Sequence, residues 1–216
     1  MLIRDGNTII ARYVCRSSDM MLIDMGRIDW SMLSRNPHPC GVALLRANQE
    51  KINWEWLGWN AHPDTIALLR ANQGKIDWTC LSQNTHPDAI ALLRANKDKI
   101  DWACLSTNVT PDGIALLHVN QDKIIWWCLS SNQHPDAIAL LRANPERIDW
   151  QCLSTNGHPD AITMMRANPD RIDWYHLSRN PALFTPDPAH YRENTDRMAK
   201  LLTQMVSKMY HGRCFN

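Results

Sequence analysis

A tryptophan recurs every 24 residues between Trp30 and Trp174 without insertion or deletion, and this period limits the possible folds more than any other feature. The equivalent residues are Trp30, Trp54, Trp78, Trp102, Trp126, Trp150 and Trp174. A fixed period of about 20–50 residues indicates a repeat protein, in which each unit buries apolar side chains against its neighbours. The period therefore predicts one elongated domain with these tryptophans in its structural core, although 216 residues would also allow two globular domains.

Each unit contains two apolar clusters, centred in one unit near Trp102 and Ile114, 12 residues apart. The second cluster is rich in Ala, Leu and Arg, which favour helix. It begins with a Pro-Asp pair such as Pro87-Asp88. Proline at the first helical position loses no hydrogen bond, and an acidic residue in the first turn suits the helix dipole. We therefore expect two short helices in each unit.

The start of the other helix is predicted from the segments Asn144-Pro145-Glu146 and Asn168-Pro169-Asp170, where Asn is a favourable N-cap residue. A leucine-rich repeat also has a period of about 20–29 residues. That fold needs a buried leucine one residue after each tryptophan, where this chain has Glu55 and Gln151. Helical hairpins are therefore favoured. Because 24 residues are few for two full α-helices, one element of each unit is open to being a 3-10 turn.

The predicted fold class is all-α, an α-solenoid of 24-residue helical-hairpin repeats with a cap at each end. Residues 1–27 are assigned to an N-terminal cap or degenerate repeat, residues 28–180 to six or seven repeats, and residues 181–216 to a C-terminal capping helix. An apolar stripe between Tyr191 and Met209 predicts that last helix. Its role is either to close the array or to dock a partner.

The balance of 23 Lys+Arg against 22 Asp+Glu gives no support to general binding of nucleic acid or anionic membranes. No apolar run approaches the ~20 residues of a membrane span. The segment from Met1 to Gly6 carries charge where a signal peptide is apolar. We therefore expect an intracellular protein that is not secreted.

A ladder of cysteines lies two residues after successive tryptophans. Its members are Cys80, Cys104, Cys128 and Cys152. Equivalent residues of stacked helices lie about 8–10 Å apart, whereas a disulfide needs Cα atoms within about 7 Å. The ladder therefore predicts small buried thiols in a reducing compartment, rather than a metal or redox site.

Histidine, asparagine and basic side chains also recur with the period of the repeat. Histidines at 38, 62, 86, 134 and 158 are too far apart to converge on one metal ion, so we expect loop or helix-cap residues and no cofactor. Asparagines end both clusters of each unit and predict turns and caps, with bonds between adjacent repeats as a further role. The row from Arg46 to Arg166 and a second row from Lys51 to Arg171 are nearly constant. Pairing with neighbouring Asp is favoured, and single-strand nucleic-acid binding along these rows remains the alternative function.

The unit consensus, Ile-Asp-Trp-x-x-Leu-Ser-x-Asn followed by Pro and Ala-Ile-x-Leu-Leu-x-x-Asn, is illustrated by Ile76-Asp77-Trp78 and Leu92-Leu93-Arg94-Ala95-Asn96. It resembles a tandem repeat of proteins from giant DNA viruses of amoebae and algae, often labelled ankyrin-like. The match covers residues 28–185 and includes a terminal Asn180-Pro181-Ala182-Leu183-Phe184. The resemblance implies no catalytic residues. Some relatives carry an F-box before the repeats, for which residues 1–27 are too short, so a ubiquitin-ligase adaptor is not expected.

Departures from the consensus carry the functional signal. Trp56, Trp59, Trp127 and Tyr175 are aromatic where other units are small or polar. Trp56 replaces a ladder cysteine and is interpreted as a core-filling residue. For Trp59, Trp127 and Tyr175 two interpretations stay open: tolerated sequence drift, and a role in binding, because exposed aromatics are common binding hot spots. Together with Arg35 and Glu55 they form the predicted partner-binding set. Together with the resemblance, these residues predict a non-catalytic protein-interaction or structural module. The resemblance implies a giant-virus protein, located in host cytoplasm or a virion, with a capsid, core or host protein as its partner.

Overall fold

The computed structural model describes residues 26–184 together with Arg197, Ala199, Lys200, Leu202 and Thr203. All regular secondary structure in this part of the chain is helical, and it contains no strand. The prediction of an all-α solenoid of helical hairpins is therefore confirmed, and the leucine-rich-repeat alternative is excluded for these residues. Most of the predicted N-terminal cap and of the C-terminal capping helix lies outside the described residues.

Short and long α-helices alternate along the chain. The short helices are α1 (Trp30–Arg35), α3 (Trp54–Gly58), α5 (Trp78–Ser82), α7 (Trp102–Thr107), α9 (Trp126–Ser131), α11 (Trp150–Ser154) and α13 (Trp174–Leu177). The long helices are α2 (Pro39–Ala47), α4 (Pro63–Ala71), α6 (Pro87–Ala95), α8 (Pro111–His118), α10 (Pro135–Ala143) and α12 (Pro159–Ala167).

Each long helix leads into the next short helix through a separate 3-10 turn. These turns are Gln49–Lys51, Gln73–Lys75, Lys97–Lys99, Gln121–Lys123, Pro145–Arg147 and Pro169–Arg171, and a further 3-10 helix follows at Pro181–Phe184. Both predicted elements of the unit are therefore α-helical, and the 3-10 geometry belongs to a third element that the sequence did not distinguish.

The helices form two layers. Each short helix packs on the short helices of neighbouring units and on the long helix of its own unit, while the long helices pack on one another. The core lies between the layers, where each unit buries a leucine such as Leu105 from the short helix and an isoleucine such as Ile114 from the long one. Helices of five or six residues are unstable alone. Burial of such side chains, at about 1.5–3 kcal/mol each, stabilises them.

Five of the seven short helices start at an aspartate, and α3 starts at Asn53, which corrects the sequence prediction. The Asp77 carboxylate caps α5 by accepting a hydrogen bond from the Cys80 backbone N–H at 2.8 Å. Asn144 and Asn168, the predicted N-caps, instead donate side-chain hydrogen bonds to the carbonyls of Leu140 and Met164, both at 2.9 Å. They cap the C-termini of long helices, because the 3-10 turn separates them from the next short helix.

The repeated tryptophans are half-buried beside the core rather than fully inside it. Each is the first residue of its helix, and in several units a cation from the following 3-10 turn covers its outer face. The Lys51 ammonium, for example, lies 4.7 Å from the Trp30 ring centroid. Trp174 is 62 % exposed. These tryptophans therefore join neighbouring units at the edge of the core.

Candidate interaction surface

The outer surface of the short-helix layer is built from three positions of each unit, which lie one, two and five residues after the repeated tryptophan. We call it the short-helix face. Its members are Ser31, Met32, Arg35, Glu55, Trp56, Trp59, Thr79, Cys80, Gln83, Ala103, Cys104, Thr107, Trp127, Cys128, Ser131, Gln151, Cys152, Thr155, Tyr175, His176 and Arg179. From the second unit to the sixth, the middle position forms a buried or half-buried floor, and most side chains at the other two positions are exposed.

A cluster of aromatic and charged side chains occupies the N-terminal end of this face. Arg35, Glu55, Trp56, Trp59 and Cys80 line a small cavity of about 150 Å³. The Arg35 guanidinium lies 5.7 Å from the Trp56 ring centroid and 5.0 Å from that of Trp59. Three predicted partner-binding residues, Arg35, Glu55 and Trp59, therefore meet at one place, although they come from two units.

Trp59 lines the cavity together with Cys80 of the next unit. One unit later, at the position equivalent to Trp59, the Gln83 Nε2 donates a hydrogen bond to the Cys104 sulfur at 3.1 Å. Trp59 is 44 % exposed. An aromatic ring that packs against its neighbours on one side and is open on the other can bind a partner with little loss of side-chain entropy.

The sequence assigned Trp56 no role in binding, because it takes the place of a ladder cysteine and was interpreted as a core-filling residue. The structure instead places it, half-buried, in the wall of the cavity. The sequence could have indicated this position, because Trp56 precedes Trp59 by three residues and residues at this spacing are neighbours on a helix surface.

The C-terminal end of the face carries a second combination of aromatic and cation. Tyr175 is 69 % exposed, and the Arg179 guanidinium lies 5.9 Å from its ring centroid. The His176 ring packs edge-on against Tyr175, with centroids 5.2 Å apart. The hydrogen bond that the His176 backbone N–H donates to the Asp173 carboxylate at 3.0 Å, together with the nearby imidazole, lowers the pKa of the Asp173 carboxyl. Tyr175 is five units away from the N-terminal cluster.

Between these ends the short-helix face is uncharged. From Thr79 to Thr155 its three positions contain only Thr, Cys, Gln, Ser, Ala and one Trp. That residue, Trp127, is 58 % exposed. Its helix α9 also departs from the others at its start, where Ile125 replaces the usual capping residue and makes no side-chain cap. The structure therefore distributes the three predicted aromatic contacts along the face and does not gather them into one pocket.

The thiols below this face are not poised for chemistry. The ladder cysteines are free; Cys80 and Cys128 are buried, and Cys104 and Cys152 are half-buried. Burial raises the pKa of Cys80 and of Cys128 to about 11, so both remain protonated at neutral pH. The interpretation as small buried groups therefore holds for these two. Cys40, at the start of α2, is disulfide-bonded and is not a member of the cysteine ladder.

The histidine ladder has a structural role that agrees with the predicted cap function. Each ladder histidine precedes a long helix, and its Nδ1 accepts a hydrogen bond from the backbone N–H two residues later, as His86 does from Asp88 at 3.1 Å. In the one unit without histidine, the Thr110 hydroxyl accepts from the Gly113 N–H at 3.1 Å. No group of three His, Cys, Asp or Glu side chains suited to a metal ion occurs among the described residues.

Several members of the basic rows make contacts between units. Arg46 pairs with Asp64 at 3.3 Å and Arg142 with Asp160 at 3.7 Å, in each case across two consecutive long helices. The second row stacks on the tryptophan rings. This supports the expected Arg–Asp pairing. Binding of a single-stranded nucleic acid along the rows stays a prediction.

Within the described part of the chain, no helix is long and apolar enough to cross a membrane. Comparison with known proteins adds no relative. No family model matches the chain, and no curated protein or solved structure matches it either. The function is therefore argued from the short-helix face and the resemblance of the repeat alone.

Proposed function

We propose that this chain is a non-catalytic interaction or structural module that binds a partner protein through its short-helix face. The observation that carries the proposal is the exposure of three large aromatic side chains on that face. Trp59, Trp127 and Tyr175 are 44 %, 58 % and 69 % exposed, at positions that are small or polar in other units. Exposed aromatics on a rigid surface supply much of the binding free energy in protein interfaces.

The rigidity of the face supports this function. Every unit is fixed to the next by hydrogen bonds and buried apolar contacts, so the spacing between aromatic side chains is set before binding. A preorganised surface loses less conformational entropy when it associates. The uncharged stretch between Thr79 and Thr155 suits a partner surface that is itself apolar or hydrogen-bonding there.

The charged residues lie at the two ends of the face and suit a polar rim. Arg35 and Glu55 flank the N-terminal cavity, and Arg179 lies beside Tyr175. Guanidinium groups that stack on aromatic rings remain available for hydrogen bonds with a partner carboxylate or carbonyl. In this arrangement the aromatics provide affinity and the two ends set the register of the partner.

The kind of partner follows from the resemblance of the repeat to proteins of giant DNA viruses. We propose that the partner is a viral capsid or core protein, or a host protein in the infected cell. The same face serves either partner. A tagged pull-down from infected cells, beside purified virions, separates the two. Recovery with capsid or core proteins in virion stoichiometry supports a structural role, and one enriched host protein supports an adaptor.

The contribution of the face is tested with the triple variant Trp59→Ser, Trp127→Ser and Tyr175→Ser. We expect loss of the specifically recovered partner with an unchanged far-ultraviolet circular dichroism spectrum. A matched control removes exposed apolar side chains outside the face, as Val109→Ser with Leu183→Ser, and is expected to retain the partner. Full binding by a folded triple variant would contradict the proposal.

A further inference from the structure

A groove on the long-helix layer, away from the short-helix face, breaks the regularity of the repeat. It lies between α8 and α10 and has a volume of about 480 Å³. Its walls are mostly apolar and include Ile114, Val119 and Leu140. Two titratable side chains, His118 and Asp136, also line it. The groove is thus an apolar trough with a carboxylate in its wall.

Two equivalent places in other units show a contact that the groove lacks. There an arginine on one long helix pairs with an aspartate on the next, 18 residues later, from Arg46 to Asp64 and from Arg142 to Asp160. Counting by the period, His118 occupies the arginine position and Asp136 the aspartate position. The only ion pair that the described residues give Asp136 is with His134, whose Nδ1 lies 3.8 Å from its carboxylate.

The substitution at position 118 is accompanied by a second one. Val119 replaces an alanine that ends the other long helices, and it is 72 % exposed at the rim of the groove. The Asp136 side chain is 73 % exposed. The unit has therefore lost its own guanidinium, kept the acceptor of that guanidinium and gained apolar surface beside it.

We propose that this groove binds an arginine side chain of a partner protein, whose guanidinium takes the place of the missing arginine of the repeat. The carboxylate of Asp136 would accept its hydrogen bonds, and the apolar walls would contact its methylene groups. Arginine fits better than lysine, because the guanidinium is planar, weakly hydrated and able to bind a carboxylate with two hydrogen bonds. The partner contact is therefore charge-complementary and independent of the aromatic residues on the other layer.

The test uses two capped tripeptides, Leu-Arg-Leu and Leu-norleucine-Leu, which differ in the presence of the guanidinium. Each is titrated into the ¹⁵N-labelled full chain while amide shifts are followed by NMR. We expect saturable shifts at Val119, Ala139 and Ala143 with the arginine peptide, and at least about tenfold weaker binding of the norleucine peptide. Equal binding of both peptides, or no saturable shift with the arginine peptide, would overturn the proposal.

Two variants locate the site. His118→Arg restores the repeat consensus, so the chain's own guanidinium should fill the groove and prevent peptide binding while the protein stays folded. Asp136→Asn retains the shape of the side chain and removes its charge, and should weaken arginine-peptide binding about tenfold or more. Unchanged binding by a folded His118→Arg protein would place the peptide elsewhere and refute the assignment.

The outcome is separable from that of the proposed function. The triple variant of Trp59, Trp127 and Tyr175 changes only the short-helix face and should bind the arginine peptide with unchanged affinity. Conversely, His118→Arg should retain whatever partner the short-helix face binds. If the triple variant keeps its partner, only the proposed function is contradicted. If His118→Arg still binds the arginine peptide, only the assignment of the groove is contradicted.

Discussion

The side-chain amide of Asn132 donates a hydrogen bond at 3.0 Å to the backbone carbonyl of Asn108, the equivalent residue of the preceding unit. The same amide donates to the Ser106 carbonyl at 3.0 Å, and its oxygen accepts from the His134 backbone N–H at 2.9 Å. Asn132 is only 3 % exposed. One buried side chain thus satisfies three backbone groups in two units, and the pattern recurs from Asn60 to Asn180.

Replacement of Asn132 by Ala should therefore destabilise the protein strongly. The change leaves the Ser106 and Asn108 carbonyls and the His134 N–H without this partner, and each unsatisfied buried group costs about 1–3 kcal/mol. We expect a loss of at least about 3 kcal/mol in the free energy of unfolding, measured by urea denaturation. Replacement of the neighbouring exposed Gln133 by Ala is the control, with an expected change within about 0.5 kcal/mol.

The histidine caps predict different effects for two substitutions at one position. His86→Ala removes the acceptor for the Asp88 N–H and should cost about 1 kcal/mol. His86→Thr should cost less, because Thr110 performs the same capping in its own unit. The two variants are compared by thermal and urea unfolding. Equal stability of His86→Ala and wild type would show that the imidazole does not contribute as a cap.

Gly58 is a position where the consensus and the structure make opposite predictions. Other units have serine here, so the repeat pattern alone favours Gly58→Ser as stabilising. A Cβ atom at Gly58 would, however, lie 2.9 Å from the Cys80 Cβ, which is closer than such atoms approach. We expect Gly58→Ser to destabilise the protein by about 1–3 kcal/mol. Gly74, which has open space around it, provides the control substitution Gly74→Ser.

The buried thiols predict a loss of stability at alkaline pH. The pKa of Cys80 and Cys128 is about 11 in the folded protein, against an ordinary value of 9.0. A raised folded-state pKa stabilises below the unfolded value, and this stabilisation is lost as the pH rises from about 9 to about 11. Each pKa unit corresponds to about 1.4 kcal/mol. The free energy of unfolding is measured across this range.

The double variant Cys80→Ala and Cys128→Ala isolates the thiol contribution. Its stability at neutral pH will differ, so the comparison is between the slopes of stability against pH. We expect a smaller slope in the variant than in wild type above pH about 9. Identical slopes would assign the alkaline loss to other groups. Rapid alkylation of both thiols in the native protein at pH about 8 would likewise contradict their buried, protonated state.

The repeat and its helices were predictable because they depend on local signals. A Pro-Asp pair starts the long helices α4, α6, α8, α10 and α12, and the apolar residues after it face one side. The capping of the short helix was missed, because Asn144 and Asp149 are both good N-cap residues within a few positions. Only the backbone path of the 3-10 turn determines which of the two begins the helix.

The candidate site was only partly predictable. The aromatic departures at Trp59, Trp127 and Tyr175 were visible as breaks in the pattern. Their arrangement in space could not be predicted, because every ladder has the same period. The period does not indicate whether a given ladder faces the core, the neighbouring unit or solvent. The expected burial of the tryptophans is met only in part for this reason. Six of them pack half-buried against the core, and in several units the cation of the next 3-10 turn covers the part of the ring that the core does not enclose.

The sequence by itself determined the unit of 24 residues, the two helices in each unit and the identity of the positions that vary. The tertiary structure decided which polar side chains join units, that Arg35 meets Trp59, and that the loss of one arginine leaves a groove beside Asp136. The physical reason is that these contacts connect residues about one repeat apart. Local propensity acts within a helix, whereas the stacking of one unit on the next fixes what lies opposite each side chain.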